Sequence, residues 1–177
     1  MAIKLGEPFP ILNIPLTVRY RGVFDYDGLY KMMHAWLVSK RFVFHEESYK
    51  DKASTPAGNE IQAKWKGERK VTEFIKEYIR IEFHLWDYAE VEIIKDGRKV
   101  KSGKARLEIK FFADLELDYS QRFTGDNFSK KLGQFYVEKI IYWDWRIKYA
   151  NALEYLVYDL HTKVKKYLNM DTGSSAY

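Results

Sequence analysis

The segment 88–119, YAEVEIIKDGRKVKSGKARLEIKFFADLELDY, carries the strongest β-strand pattern in the chain and decides the fold class. Apolar and charged residues alternate along its second half, as is typical of a strand with one buried and one exposed face. Asp96-Gly97 predicts a tight turn, and Ser102-Gly103 predicts a second break. The segment therefore predicts antiparallel strands, the last of which buries a face made of Leu107, Ile109, Phe111, Ala113, Leu115 and Leu117.

Alternation predicts further strands over 16–24, 41–49, 60–67 and 79–85. Between the first two, an amphipathic helix is predicted over 25–40, with Asp25 or Asp27 as its N-cap. The stretch 51–59 is rich in small and turn residues and is the clearest internal loop. The stretch 71–78 fits either a helical stripe or a strand, and its β-branched and aromatic residues favour the strand slightly.

A long helix is predicted from Asp126 or Asn127, because no proline occurs before Asn169. At about 100° per residue, Tyr136, Ile140, Trp143 and Ile147 share one side. A second apolar stripe is rotated from it by roughly 100–120°. We therefore expect one of two arrangements. Either the helix is kinked or broken near 145–151, or its first half packs under the sheet and its second half packs on another surface. The second stripe consists of Leu153, Val157, Leu160 and Val164.

These elements predict an α+β fold in which a curved antiparallel sheet of about six strands grips a long C-terminal helix, with one short helix after the first strand. We expect residues 1–170 to form a single domain and 171–177 to form a flexible tail. This order of elements resembles the helix-grip superfamily of START and birch-allergen-like proteins over roughly residues 14–169. The resemblance implies an apolar cavity between sheet and helix. The chain has one helix where that superfamily commonly has two, and it lacks the glycine-rich loop of the allergen branch.

The composition is that of a globular protein with an unusually aromatic interior. The chain has 177 residues, 46% hydrophobic and 31% charged, and 17% are aromatic. The net charge of +5 permits a nucleic-acid partner without arguing for one. Cysteine is absent, which excludes disulfides and thiolate metal sites. With no signal-peptide pattern and no apolar run long enough to span a bilayer, we expect a soluble, cytoplasmic protein.

No reaction motif is present in the sequence. The four histidines show no metal-ligand spacing, and there is no GxSxG motif or phosphate-binding glycine loop. We expect no metal and no cofactor, and catalysis is not favoured. Asp114, Glu116 and Asp118 lie on the polar face of their strand, where carboxylates are usually solvated.

Three functional hypotheses remain open. The first is a small-molecule site for an apolar or amphipathic ligand between sheet and helix, with walls from Trp36, Trp65, Phe83, Phe111, Tyr136, Trp143 and Ile147. The second is an interaction protein, such as a homodimer, that uses the second apolar face of the long helix. The third is a nucleic acid or anionic lipid partner, bound through phosphates by the basic hairpin residues Lys95, Arg98, Lys99, Lys101, Lys104 and Arg106.

Overall fold

The computed structural model describes residues 4–55, 58–95, 98–123 and 125–170, with only the backbone described at 53–55, 95 and 98–100. The strands are β1 (Pro8–Pro10), β2 (Leu16–Phe24), β3 (Val43–Thr55), β4 (Gly58–Lys70), β5 (Ile75–Lys95) and β6 (Arg98–Leu117). The helices are α1 (Tyr26–Ser39), α2 (Asn127–Phe135) and α3 (Asn151–Tyr167). Two π-helical segments, Tyr136–Ile140 and Asp144–Ala150, lie between α2 and α3.

The six strands form one curved, open antiparallel sheet. β3, β4, β5 and β6 pair in sequence order, and β1 and β2 both pair with the outer edge of β6. The predicted α+β class, with six antiparallel strands and a long C-terminal helix, is therefore confirmed. The short strand β1 was not predicted, because its two prolines disfavour strand formation anywhere except at a sheet edge.

One face of the sheet is the core and the other is charged. The predicted inward residues of β6, from Leu107 to Leu117, are all buried, as are Ile61, Ala63 and Trp65 of β4. Asp25 caps α1 by accepting a hydrogen bond from Gly28 N at 2.9 Å, as its sequence predicts. The core therefore lies between the inner face of the sheet and the two helices α1 and α3.

Three predicted boundaries differ in the structure. The loop predicted over 51–59 is wrong where the chain is described, because β3 continues to Thr55 and β4 begins at Gly58. Antiparallel pairing there outweighs the loop-like composition, with Ala53 opposite Asn59. β6 runs without a break through Ser102-Gly103, whereas Asp96-Gly97 lies outside the described residues, as does the tail 171–177. In the ambiguous segment 71–78, the strand begins at Ile75.

An ion pair between partly exposed Arg69 and buried Glu77 joins the end of α1 to the sheet. Arg69 on β4 donates to Glu77 Oε2 on β5 through Nε at 3.0 Å and through Nη2 at 2.6 Å. The same guanidinium donates to the backbone oxygen of Lys40 at 2.8 Å, just beyond α1. Burial raises the pKa of Glu77, and the bond from Arg69 opposes that shift. This pair therefore couples the position of α1 to β4 and β5.

The C-terminal helical region changes its winding along its length. The second apolar stripe, from Leu153 to Val164, is fully buried, and α3 contacts β2, β6 and α1. Before α3, the π-helical segments have wider turns, since each hydrogen bond spans one more residue than in an α-helix. The segment Asp144–Ala150 coincides with the region 145–151, where the rotation of the two stripes predicts an irregularity.

Candidate functional site

The predicted interior residues Trp65 and Phe83 lie together in a packed aromatic cluster. The ring of Trp65 lies 4.8 Å from those of Phe83 and Phe44, and 4.3 Å from that of Tyr30. Edge-to-face packing at these distances is favourable for aromatic rings. Trp65 Nε1 also donates to Tyr30 Oη at 3.1 Å. These side chains contact one another directly, so they form packed core between α1 and the sheet.

Trp36 and Phe111 are also buried, but they connect α3 to the rest of the core. Trp36 Nε1 donates to Asp159 Oδ2 at 2.8 Å and so joins α1 to α3. The ring of Phe111 on β6 meets the edge of His161 on α3 at 5.9 Å. Burial lowers the pKa of His161, and nearby Lys165 adds to that effect. Both predicted residues therefore occupy structural contacts of α3.

The remaining predicted wall residues do not face a common interior. Tyr136 is half-buried and packs against Phe74 and Phe123, with ring centroids 5.8 and 6.0 Å away. Trp143 and Ile147 are 70% and 56% exposed, so the expectation that they point inward is wrong. The expectation rested on α-helical spacing, which the π-helical segments do not follow.

One buried polar atom in the core has no partner among the described residues. Tyr26 begins α1 and is buried, and its hydroxyl makes no hydrogen bond there. Its ring packs against Tyr30 and Tyr88, each with centroids 6.0 Å away. Burial raises the pKa of Tyr26, so the hydroxyl stays protonated. An unsatisfied buried hydroxyl is destabilising by about 1–3 kcal/mol, and it marks a place where a water or ligand atom would bind.

The predicted basic hairpin is described only in part. Lys101, Lys104 and Arg106 are exposed on β6, whereas the side chains of the other three cations, Lys95, Arg98 and Lys99, lie outside the described residues. Arg106 is paired with Asp87 at 2.8 Å. Lys101 is 3.9 Å from Glu90. The described part is therefore partly neutralised by its own strand neighbours.

The expectation that the carboxylates of β6 are solvated is wrong. Asp114 is buried and accepts two hydrogen bonds from Arg80, at 2.6 and 3.0 Å. Glu116 is buried and accepts from Tyr78 Oη. Asp118 is fully buried and accepts from two backbone N–H groups of the following loop, both at 2.8 Å. All three carboxylates therefore have structural partners, which sequence spacing alone could not reveal.

Six large apolar side chains along α2 and the two π-helical segments are exposed. Gly133 is the only buried residue of α2, and a Cβ built there would lie 2.5 Å from the Cβ of Phe123. The helix therefore contacts the domain through a glycine and turns its large side chains outward. We call this surface the exposed helix stripe, and its members are Phe128, Leu132, Phe135, Ile140, Trp143 and Ile147.

Cations are interleaved with the exposed helix stripe. Lys131 lies three residues after Phe128 in α2, so the two are neighbours on the helix surface, and Lys139 directly precedes Ile140 in sequence. Lys148 directly follows Ile147, and all three lysines are exposed. Residues 128–150 contain five basic and two acidic residues. The surface is thus apolar and basic together, a combination typical of helices that bind anionic surfaces.

Two classes of site are not found in the described part of the chain. No group of three His, Asp or Glu side chains among the described residues is arranged to hold a metal ion. None of the described helices is both long and apolar enough to cross a bilayer.

Comparison with known proteins gives no family assignment. No model of a known protein family matches the chain, and no curated protein matches it. Functional inference therefore depends on the geometry of the described residues.

Proposed function

We propose that this protein binds peripherally to anionic membrane surfaces through the exposed helix stripe. The observation that carries the proposal is the exposure of six large apolar side chains within residues 128–147, with Trp143 70% exposed. A large exposed apolar patch is uncommon on monomeric proteins and usually marks an interaction site. The protein is thus proposed to be a binding protein rather than an enzyme.

The composition of the stripe suits the boundary between lipid headgroups and acyl chains. Interfacial helices bury Trp, Phe, Leu and Ile just below the headgroups and keep Lys and Arg among the lipid phosphates. Lys131, Lys139 and Lys148 have long aliphatic stems that can lie along the apolar surface while their ammonium groups reach the phosphates. Each such cation adds about 1 kcal/mol of attraction near an anionic leaflet. Apolar burial and charge attraction would therefore act together.

Charge favours a lipid surface over a second copy of this chain. A two-fold contact through the stripe, whether parallel or antiparallel, would enclose lysines of both copies in one apolar interface. Cations are depleted from the centres of such interfaces, because their burial without a partner is unfavourable. The described surface of residues 128–150 offers few carboxylates to neutralise them, since only Glu138 and Asp144 are acidic in that range. Anionic lipid supplies the missing negative charge.

Co-sedimentation with lipid vesicles tests the proposal. The protein is incubated with vesicles of phosphatidylcholine alone and with vesicles that contain roughly a third phosphatidylserine, at low and at physiological salt. We expect binding to the phosphatidylserine vesicles and much weaker binding to the neutral ones. Replacing Lys131, Lys139 and Lys148 together by glutamate should reduce binding to the anionic vesicles at least tenfold.

A control and the competing occupant are measured alongside. Lys64, an exposed cation on the outer face of β4, pairs with Glu82 at 3.2 Å, so Lys64→Gln should leave vesicle binding unchanged. Sedimentation equilibrium without lipid measures self-association. A dimer that dissociates in Trp143→Ala, together with no vesicle binding, would show that the stripe is covered by a second copy and would overturn the proposal.

A second candidate function follows from the Tyr26 hydroxyl, which has no hydrogen-bond partner among the described residues. We propose that sheet and C-terminal helix form a helix-grip arrangement that takes a small apolar ligand with one polar group. The order of elements and the burial of Leu153 and Val157 support this arrangement. The Tyr26 hydroxyl is the polar atom that would orient the ligand. Native mass spectrometry of the purified protein tests it, and the ligand-free mass as the sole species would exclude it.

A further inference from the structure

A cleft of about 340 Å³ lies on the outer face of the sheet, between β2, β5 and β6. Arg21 on β2 is directly opposite Arg106 on β6, and Arg106 is directly opposite Trp86 on β5. Arg19 lies one outward position before Arg21 on β2, opposite Glu108. We call this site the arginine cleft, and it is lined by Arg19, Tyr20, Arg21, Trp86, Arg106, Leu107 and Glu108.

The cations of the arginine cleft are not fully neutralised. Arg19 Nε donates to Glu108 at 2.6 Å, but Lys110 also shares Glu108, at 3.0 Å. Arg106 is paired with Asp87 at 2.8 Å. Arg21 forms no ion pair with any residue that the structure describes. Arg21 lies directly opposite Arg106, and Asp87 offsets only one of these two like charges, so the pair leaves an uncompensated cation that an anion would neutralise.

The position of Arg106 is fixed by its surroundings. Its guanidinium lies 5.7 Å from the centre of the Trp86 ring, a cation–π distance. His84 stacks on the same indole, with ring centroids 3.8 Å apart. The bond to Asp87 holds the guanidinium from another side. A donor held in this way loses little conformational entropy when it binds an anion.

We propose that the arginine cleft binds the phosphate group of a small phosphorylated molecule. Arginine matches phosphate geometrically, because its planar guanidinium presents parallel N–H donors to two phosphate oxygens. Arg21, which forms no ion pair with a described residue, binds the phosphate. Arg106 and Arg19, which each already donate to a carboxylate, contribute positive charge and their remaining N–H groups. Trp86 provides an apolar wall for the remainder of the molecule. This site is separate from the exposed helix stripe and lies at the base of the predicted basic hairpin, of which it includes only Arg106.

Isothermal titration calorimetry at low ionic strength tests the proposal with four probes. The probes are inorganic phosphate, ribose 5-phosphate, ribose and vesicles with a phosphoinositide headgroup. We expect saturable binding of both free phosphates, tighter for ribose 5-phosphate, and no binding of ribose. Arg21→Gln should weaken the binding of inorganic phosphate and of ribose 5-phosphate at least tenfold. If only the vesicles bind and lose affinity in Arg21→Gln, the ligand is a lipid headgroup and the proposal is overturned.

Thermal unfolding of the same variants gives a second readout. Without phosphate, Arg21→Gln should unfold at the same temperature as the parent protein or a higher one, because the repulsion with Arg106 is removed. With phosphate, the parent protein should be stabilised and Arg21→Gln should not. Lys64→Gln is the control for general charge loss, and it should retain full phosphate binding. If Arg21→Gln and Lys64→Gln lost phosphate affinity equally, the arginine cleft would not be a specific phosphate site. The absence of saturable phosphate binding to the parent protein would contradict the proposal as well.

The two proposals can fail independently. Trp143→Ala should leave phosphate binding unchanged, and Arg21→Gln should leave the binding of phosphatidylserine vesicles unchanged. Phosphate binding that falls in Trp143→Ala would refute the separation of the two sites. Binding of phosphate without binding of vesicles would support the arginine cleft as a phosphate site and refute the proposed membrane role.

Discussion

Trp143 and Trp145 offer a direct test of the exposed helix stripe, because they are two residues apart and have opposite environments. Trp143 is 70% exposed, whereas Trp145 is 4% exposed. Trp145 packs edge-to-face on Phe9 at 5.7 Å, and its Nε1 donates to the backbone oxygen of Val137 at 3.3 Å. Replacing each by alanine should therefore separate membrane binding from folding.

The expected effect of Trp143→Ala follows from the area it presents. A tryptophan side chain offers up to about 250 Å², so its exposed fraction of 70% leaves roughly 170 Å² for contact with lipid. At about 25 cal/mol per Å², complete transfer of that area into lipid would contribute about 4 kcal/mol. If half of it is immersed at the headgroup boundary, the loss is about 2 kcal/mol, or roughly thirtyfold in the partition coefficient.

The assay is quantitative co-sedimentation with phosphatidylserine-containing vesicles, read as a partition coefficient, with urea unfolding measured in parallel. Trp143→Ala should lose about thirtyfold in partitioning and change the free energy of unfolding by less than about 0.5 kcal/mol. Trp145→Ala should instead lose about 3–5 kcal/mol of stability, because it leaves a cavity under the helix. Unchanged partitioning of a folded Trp143→Ala variant would refute the reasoning.

Three further predictions concern the core. Tyr26→Phe should raise the free energy of unfolding by about 1 kcal/mol, because it removes a buried hydroxyl without a described partner. A loss of stability in urea unfolding would mean that water or a ligand forms a hydrogen bond with this hydroxyl. Glu77→Ala should destabilise the fold by about 3–5 kcal/mol by leaving Arg69 without its carboxylate, and a loss below about 1 kcal/mol would show that the pair is dispensable. Burial lowers the pKa of His161, so the unfolded chain binds its proton more tightly and stability should fall as pH drops below about 6.5. In melting curves recorded between about pH 5 and 7.5, His161→Gln should reduce the dependence of stability on pH. The same pH dependence in the variant and the parent protein would show that His161 does not cause it.

The sheet could be predicted from sequence because its strands carry a period of two along most of their length. β2, β4 and β6 each show that alternation, and each has buried residues on one face, as Val18, Trp65 and Ile109 illustrate. The prediction failed at 51–59, where glycine, proline and small residues outweighed the pattern. Pairing between long antiparallel strands is a non-local effect, and local composition does not record it.

The arginine cleft could not be read from the sequence for a related reason. Arg21 and Arg106 are far apart in the chain, and the register of β2 against β6 brings them together. The basic hairpin was visible only as a local run of lysines and arginines. Its one member in the cleft, Arg106, owes its position to β2 and β5 rather than to that run.

In the C-terminal helical region, assuming an α-helical period assigns exposed side chains to the buried face. At α-helical spacing, Tyr136, Ile140, Trp143 and Ile147 share one side of the helix, which is why they were expected to face the sheet. The buried positions are instead Val137, Trp145 and Ala150, which lie farther apart in sequence because the turns are π-helical. Such turns are rare and often occur at functional sites. The π-helical turns thus pack one set of side chains into the core and leave the other set exposed. An interaction surface requires this arrangement.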